Sequence, residues 1–285
     1  MGKDGVEQKK HEDICSLEEF YEYSEAAVLL GIEKIRITGG EPLVRKGILT
    51  LCEKIKNLDG LEQLTLTTNG YHLSAMAQSL KDCGVDRLNI SLDTLKEDRF
   101  RKITRCGNLG PVLEGLEAAL SAGFEGTKIN VVLMKGFNDD EIEDFVSFAG
   151  CKNLSVRFIE LMPIGSATDF YNSMYLSCEE VLLRCPELTE IESDGVSQMF
   201  SIPGTGGTVG LIRPISRKFC SSCSRLRITS TGDLLPCLHS DLSIPLRGLH
   251  GRQLRKAIEK GVKSKPQSHN LNVCRVITNM NEIGG

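Results

Sequence analysis

The chain has 285 residues, 40% hydrophobic and 25% charged, with no tryptophan and a formal net charge of −4. That length can bury a substantial core, as one large domain or as a barrel with an appendage. The acidic balance gives no footprint for nucleic acid or a membrane surface, so basic residues that matter must act locally. No run of eighteen apolar residues and no signal-peptide pattern occurs, which predicts a cytosolic protein without a membrane partner, its eleven cysteines free of disulfides.

From the N-terminus one unit repeats: an apolar helix, a glycine or short loop, then a short β-rich run. Strands are predicted over 34–38, 64–67, 88–92, 129–134 and 156–161. Leu73, Met76, Ala77 and Leu80 follow the helical period before Gly84. Leu109, Val112, Leu113, Leu116 and Leu120 repeat it before Gly123. Mostly apolar strands alternating with helices predict a parallel sheet buried on both faces, and the iteration predicts a (β/α) barrel, whole or partial.

The strands end in small or polar residues: Thr38-Gly-Gly-Glu41, Thr67-Thr-Asn69-Gly70, Ser91-Leu-Asp93 and Glu160-Leu-Met162-Pro163. Any one terminus is explained as well by turn and cap chemistry. Together they predict an active-site rim at the C-terminal strand ends.

Residues 166–212 read as a looser connection, with a short helix over 177–184 and a turn between strands at 204–207. That turn lacks the strand–helix bracket of a dinucleotide fingerprint. An amphipathic helix is predicted over 251–260, and the chain ends in Gly284-Gly285, a tail able to thread into a narrow site.

Between those helices lies the most informative segment, Cys220-Ser-Ser-Cys223 with Cys237 downstream. Three thiolates leave a metal or iron–sulfur centre one protein ligand short, and the open position can take substrate. A structural zinc site completed by His239 is the competing reading. Arg225 and Arg227, two apart on a strand, share a face and suggest an anion clamp for a phosphorylated substrate. Cys15, Cys52, Cys83, Cys106, Cys151, Cys178, Cys185 and Cys274 lack ligand spacing and read as core or surface thiols.

Thr38-Gly-Gly-Glu-Pro42, Thr67-Thr-Asn69-Gly70, Asn89-Ile-Ser-Leu-Asp93, Lys128-Ile-Asn130, Arg157-Phe-Ile-Glu-Leu-Met162-Pro163 and the Cys220/Cys223/Cys237 segment together resemble the radical S-adenosylmethionine (SAM) enzymes. Among these the whole chain is most similar to the GTP 3′,8-cyclase family of lyases, which opens molybdenum cofactor biosynthesis; Gly284-Gly285 matches its tail. The resemblance implies an α/β fold, an incomplete (β/α)6 TIM-type barrel of the radical SAM class with a C-terminal cluster-binding extension. Residues 1–165 would form the partial barrel, and residues 166–285 the iron–sulfur and GTP-binding extension that closes it laterally.

It also implies two [4Fe–4S] clusters at opposite ends of one cavity. One cleaves SAM, and the resulting radical abstracts hydrogen from C3′ of GTP so that this carbon attacks C8; the other holds the guanine through its open iron. By the same resemblance Gly40, Ser91 and Met162 contact SAM, and Arg157 reaches its carboxylate. Arg36, Thr67, Lys128, Arg225, Leu226 and Arg227 contact GTP, and Cys220, Cys223 and Cys237 hold the second [4Fe–4S] cluster. A lone Arg or Lys on a strand is ordinarily a solvated edge charge, but ionisable groups inside a barrel are costly unless paired. Glu41 reads as a positioning carboxylate. The implied partners are GTP, an electron donor, the pterin-forming enzyme that follows, and a second copy in a homodimer.

The family's Cys-x3-Cys-x2-Cys motif for the SAM-binding cluster is absent, and Met1-Gly2-Lys3-Asp4-Gly5 resembles the stretch that follows it. Two expectations arise: a misassigned start within a longer active protein, or a truncated form lacking the first barrel strand and an arginine. Cys15 cannot replace three thiolates, so the polypeptide as it stands is expected to be inactive. A GTP- and iron–sulfur-binding protein without chemistry and a structural zinc protein are the alternatives.

Overall fold

Leu64 and Leu66, Leu88 and Ile90, Ile129 and Val131, and Val156 and Phe158 are buried, while the residues interleaved with them are Thr65, Thr67, Asn89, Ser91, Lys128, Asn130 and Arg157. Because a strand alternates faces, one sheet face is apolar and the other polar. The computed structural model, which describes residues 10–105, 107–239 and 242–268, turns the apolar face to a layer of helices and the polar face to a cavity. The sheet was expected to be buried on both faces; Thr65, Asn89 and Arg157 on the second face are indeed buried, but that face is polar and borders a cavity. Runs such as Leu64-Thr65-Leu66-Thr67 hide the alternation, because threonine suits a strand on either face.

The helix–strand units run α1 (Leu17–Val28), β1 (Lys34–Ile37), α2 (Ile48–Lys56), β2 (Gln63–Thr68), α3 (Leu73–Asp82) and β3 (Arg87–Ser91). They continue with α4 (Glu97–Thr104), α5 (Leu109–Ser121), β4 (Lys128–Leu133), α6 (Ile142–Lys152) and β5 (Ser155–Glu160). All five expected strands form within a residue or two of their expected bounds. Each pairs in parallel with the next, in the order β1-β2-β3-β4-β5. One apolar core runs beneath the sheet from Leu51 and Ile55 of α2, through Leu80 of α3 and Leu116 of α5, to Phe145 of α6. Ser16 starts the first unit with a capping box: its hydroxyl accepts from the Glu19 amide while the Glu19 carboxylate accepts from the Ser16 amide.

The stretch 166–212 is not the loose connection expected. After the short helices α7 (Tyr171–Met174) and α8 (Glu179–Arg184) it forms β6 (Thr189–Asp194), β7 (Ser197–Ser201) and β8 (Thr208–Ile212). β8 adds in parallel to β5, and β7 and β6 follow antiparallel, giving eight strands in the order β1-β2-β3-β4-β5-β8-β7-β6. The polar, wholly exposed β6 (Thr-Glu-Ile-Glu-Ser-Asp) disguised the hairpin as loop. The glycines at 204–207 do form the turn between strands, here β7 and β8.

The sheet stays open, with β1 at one edge and β6 at the other: a partial (β/α) barrel, as expected. The remaining elements, β9 (Arg227–Ile228), β10 (Asp233–Leu235), β11 (Ile244–Pro245) and α9 (Gly251–Lys263), make a small antiparallel sheet and a helix. They pack on α1 through a second apolar core of Tyr23, Ala26, Ala27, Leu234, Ile244, Leu254 and Ile258. Arg45 Nη2 donates to the Cys15 carbonyl at 2.9 Å, and the Cys15 amide donates to the Ser230 carbonyl at 2.8 Å. The C-terminal segment is thereby fixed across the open side of the barrel. Met1-Gly2-Lys3-Asp4-Gly5, Cys106, Cys274 and the Gly284-Gly285 tail lie outside the described residues.

Candidate active site

A single cavity of about 1740 Å³ runs between the polar sheet face and the C-terminal segment. Gly40, Ser91, Arg157, Met162, Arg36, Thr67, Arg225, Leu226, Arg227, Cys220, Cys223 and Cys237 all line it. Lys128 is not among the lining residues; its Nζ donates to Asp194 Oδ2 at 2.5 Å.

The first rim segment follows β1. Gly39 takes φ +132°, a conformation an L side chain rarely adopts, and lets the chain turn directly into Gly40 and Glu41. Glu41 accepts hydrogen bonds from the Leu43 amide (3.0 Å), the Thr68 hydroxyl (2.8 Å) and the Asn69 amide (2.7 Å). Its carboxylate ties the Gly39-Gly40 turn to the end of β2, which is a positioning role. Ser91 opens onto the cavity, and Asp93 beside it accepts from the Val132 amide at 2.8 Å. Burial pushes the Asp93 carboxyl up to about 6 against that hydrogen bond. Across the cavity Met162 packs with Ile164, Ile215 and Leu238, and its Sδ lies 3.3 Å from His239 Nε2.

The second feature is a cluster of cations drawn from three parts of the chain. Arg36 comes from β1, Arg157 from β5, and Arg225 and Arg227 from the segment after the Cys220–Cys223 turn. Arg36 and Arg225 touch water inside the cavity yet are enclosed by protein, whereas Arg157 is buried outright. Desolvation, followed by the charges of Arg225, Arg157 and Arg227, lowers Arg36 to about 10. Desolvation and Arg225 lower Arg227 to about 10 as well. Arg157 and Arg225 are lowered by desolvation in the same way. Guanidiniums held together out of bulk water repel one another and lack the full solvation they would have outside, so the wall is poised for a polyanion. The register partner of Arg157 on β8 is Gly210, where a Cβ would come within 3.1 Å of Arg157 Cγ and 2.9 Å of Met199 Sδ, so glycine leaves room for both side chains.

The three cysteines share one cavity wall. The Cys223 amide donates to the Cys220 carbonyl (3.2 Å), and the His239 amide donates to Cys237 Sγ (3.4 Å). Lys265 Nζ lies 3.8 Å from Cys223 Sγ and donates to the carbonyls of Arg225 (2.6 Å) and Pro236 (3.1 Å). It thus staples the two cysteine-bearing loops together. Among the described residues no three Cys, His, Asp or Glu side chains converge closely enough to share a single metal ion. Three cysteine thiolates are the donor type that holds an iron–sulfur cluster, with one corner left without a protein ligand. The zinc reading needs a ring nitrogen of His239 on the cysteines; Nε2 lies beside Met162 Sδ, which leaves Nδ1 for that role.

Sequence reasoning missed several participants. Lys265 is joined to the site by folding alone. Asp194 carried one local signal, the Asp-Gly turn dipeptide. Glu160 was read only as part of the rim. It is fully buried and accepts from the amides of Ile215 (3.0 Å) and Ser216 (2.9 Å), the Ser216 hydroxyl (2.5 Å) and Tyr175 OH (3.3 Å). Those bonds lash the turn after β8, which leads into the cysteine segment, to the end of β5. Glu160→Ala orphans several buried donors, so unfolding in urea should show a loss of about 3 kcal/mol. A loss below about 1 kcal/mol would mean the lash is dispensable.

With the geometry in place, the comparisons agree. Residues 4–149 match the radical SAM superfamily, and residues 154–271 match the family described as Molybdenum Cofactor Synthesis C. The chain is 47% identical to the GTP 3′,8-cyclase of Peptoclostridium acidaminophilum, over 100% of this chain and 90% of that protein. It is 46% identical to the GTP 3′,8-cyclase of Moorella thermoacetica, over 100% and 92% respectively. Streptococcus suis SuiB, solved bound to S-adenosylmethionine, shares the fold at a TM-score of 0.55 and 14% identity, over 89% of this chain and 62% of that one. Among the described residues no helix is long and apolar enough to cross a membrane. The chain belongs to the radical SAM superfamily, whose members work with a [4Fe–4S] cluster and SAM, and within it to the GTP 3′,8-cyclase family.

Proposed function

We propose that the chain binds GTP for radical cyclisation to (8S)-3′,8-cyclo-7,8-dihydroguanosine 5′-triphosphate, the first step of molybdenum cofactor biosynthesis. The observation that carries this reading is the meeting, on one cavity wall, of Arg36, Arg157, Arg225 and Arg227 with Cys220, Cys223 and Cys237. The arginines and Lys128 take the triphosphate, Thr67 and Leu226 complete the nucleotide wall, and the cysteines hold a [4Fe–4S] cluster beside the base. Gly40, Ser91 and Met162 form the SAM side, where the backbone at Gly40 approaches the amino group without a Cβ in the way. We assign Arg157 to the triphosphate rather than to the SAM carboxylate, because it shares Asp194 Oδ2 with Lys128, a GTP-contacting residue on the same reading. When bound, SAM and its cluster supply the hydrogen-atom abstraction that protein side chains cannot perform. On this reading the chain is a cytosolic protein that takes its electron from a separate donor, works as a homodimer, and passes its product to the pterin-forming enzyme that follows. Residues 1–165 serve as the SAM half and 166–285 as the nucleotide half.

No Cys-x3-Cys-x2-Cys occurs in the sequence, so binding is the decisive measurement. Equilibrium titration of anaerobically reconstituted chain should show GTP bound about a hundredfold more tightly than ATP, because only guanine presents the edge the cluster side selects. Equal affinity for the two nucleotides would remove the GTP assignment.

A further inference from the structure

Asp194 closes β6 at the tip of the edge hairpin, followed by Gly195 at φ +63°. The pairing of β6 with β7 shifts register between Ile191 and Asp194. Such a bulge re-aims a side chain, and here it turns one carboxylate of a solvent-exposed strand under the barrel. A single oxygen, Oδ2, accepts from both Lys128 Nζ and Arg157 Nη2. The exposures are unequal: 12% for the Lys128 side chain and 6% for Arg157, against 50% for Asp194. Burial opposes ionisation of Asp194, but the Lys128 hydrogen bond and the Arg157 charge prevail and hold it below the usual carboxylate range. Arg36, Lys128, Arg157 and Arg225 all feel its charge. Arg157 Nε meanwhile is buried with no hydrogen-bond partner among the described residues, so the cluster still has donor capacity facing inward.

We propose that Asp194 is a displaceable counter-ion: on Lys128 and Arg157 it holds the place of a phosphate oxygen until a polyphosphate evicts it. The inference rests on the reading that this wall binds a nucleotide polyphosphate. Arg157 on the cavity wall and Lys128 beside it gain a partner in the empty protein, while the partner itself stays half exposed at the tip of an edge hairpin. A terminal phosphate brings more charge and more acceptor oxygens than one carboxylate, so the exchange favours polyphosphates. A singly charged anion offers no more than Asp194 already supplies. The carboxylate therefore acts as a charge threshold that selects di- and triphosphates over small anions.

The test uses inorganic triphosphate, GTP, ATP and guanosine titrated into the reconstituted full chain and its Asp194→Asn variant. The variant no longer has to break the ion pair and no longer repels the incoming anion. Triphosphate and GTP should bind about three- to tenfold more tightly, with guanosine unchanged. Unchanged or weaker triphosphate binding by a folded variant would overturn the proposal. Should the variant not fold, hydrogen exchange on the native chain decides. Saturating triphosphate should speed exchange of the amides at 194–197 as the hairpin lets go, and unchanged or slower exchange there would overturn it equally. Triphosphate tightened by the substitution, with GTP no better than ATP, would keep Asp194 as the counter-ion and remove the GTP reading. Preferential GTP binding with triphosphate indifferent to residue 194 would do the reverse.

Discussion

Arg157→Ala is expected to weaken GTP binding by about two orders of magnitude while leaving guanosine binding nearly unchanged. The side chain is buried, feels Asp194 and Arg225 more strongly than any other charge, and keeps a buried Nε without a partner among the described residues. Its desolvation is already part of the folded state, so a phosphate that fills its donors gains a charge-assisted bond without a fresh solvation penalty. Arg225→Ala, on the opposite side of the same cluster, should act in the same direction with a smaller effect, since Arg225 is open to cavity water. Arg157→Lys should recover only part of the loss, because an ammonium keeps the charge but not the fork. Competitive titration of GTP, GDP and guanosine reads all of this. Equal losses for nucleotide and nucleoside would place Arg157 in the fold or at the base. A loss confined to SAM would return it to the SAM carboxylate.

The barrel strands and their order were legible because each carries its own local signal. Lys128–Leu133 and Ser155–Glu160 are β-rich runs following a helix and a turn, and propensity and period find them without tertiary knowledge. The hairpin of Thr189–Asp194 and Ser197–Ser201 was not legible. Its first strand is polar apart from Ile191 because it is an exposed edge, so no apolar alternation marks it. The same difference divides the site. Gly39-Gly40 and the Cys220–Cys223 spacing announce themselves in sequence, since turn chemistry and ligand spacing are local. The roles of Asp194 and Lys265 do not, because each is brought to the site by pairing between distant segments. Lys265 reaches Arg225 across a separation of 40 residues, and Asp194 reaches Lys128 across 66. Glu41 and Glu160 mark a middle case. Their residue type at a strand end was visible, but their task of tying one loop to the next is written only in their hydrogen bonds.

Cys223→Ala is expected to abolish the C-terminal iron–sulfur cluster, lowering iron after anaerobic reconstitution by about four atoms per chain together with the matching sulfide. Cys220 and Cys237 would remain, but two thiolates hold a cube at only two corners and leave the rest to solvent. The surroundings sharpen the prediction. Cys223 is flanked by Arg225, Arg227 and Lys265, and its thiolate charge is among those that Arg225 and Arg227 feel. Its loss therefore removes the cluster and with it the contact to guanine, so GTP should stabilise the variant against heat less than it does the native chain. Cys151→Ala serves as the control, because Cys151 is exposed on α6 and does not line the cavity. Iron and sulfide analysis, with the visible absorption of the cluster, provides the measurement. Full iron content in Cys223→Ala would move the cluster to another set of ligands. Stoichiometric zinc with no iron in the native chain, even after anaerobic reconstitution, would overturn the cluster assignment and restore the structural-metal reading of Cys220, Cys223 and Cys237.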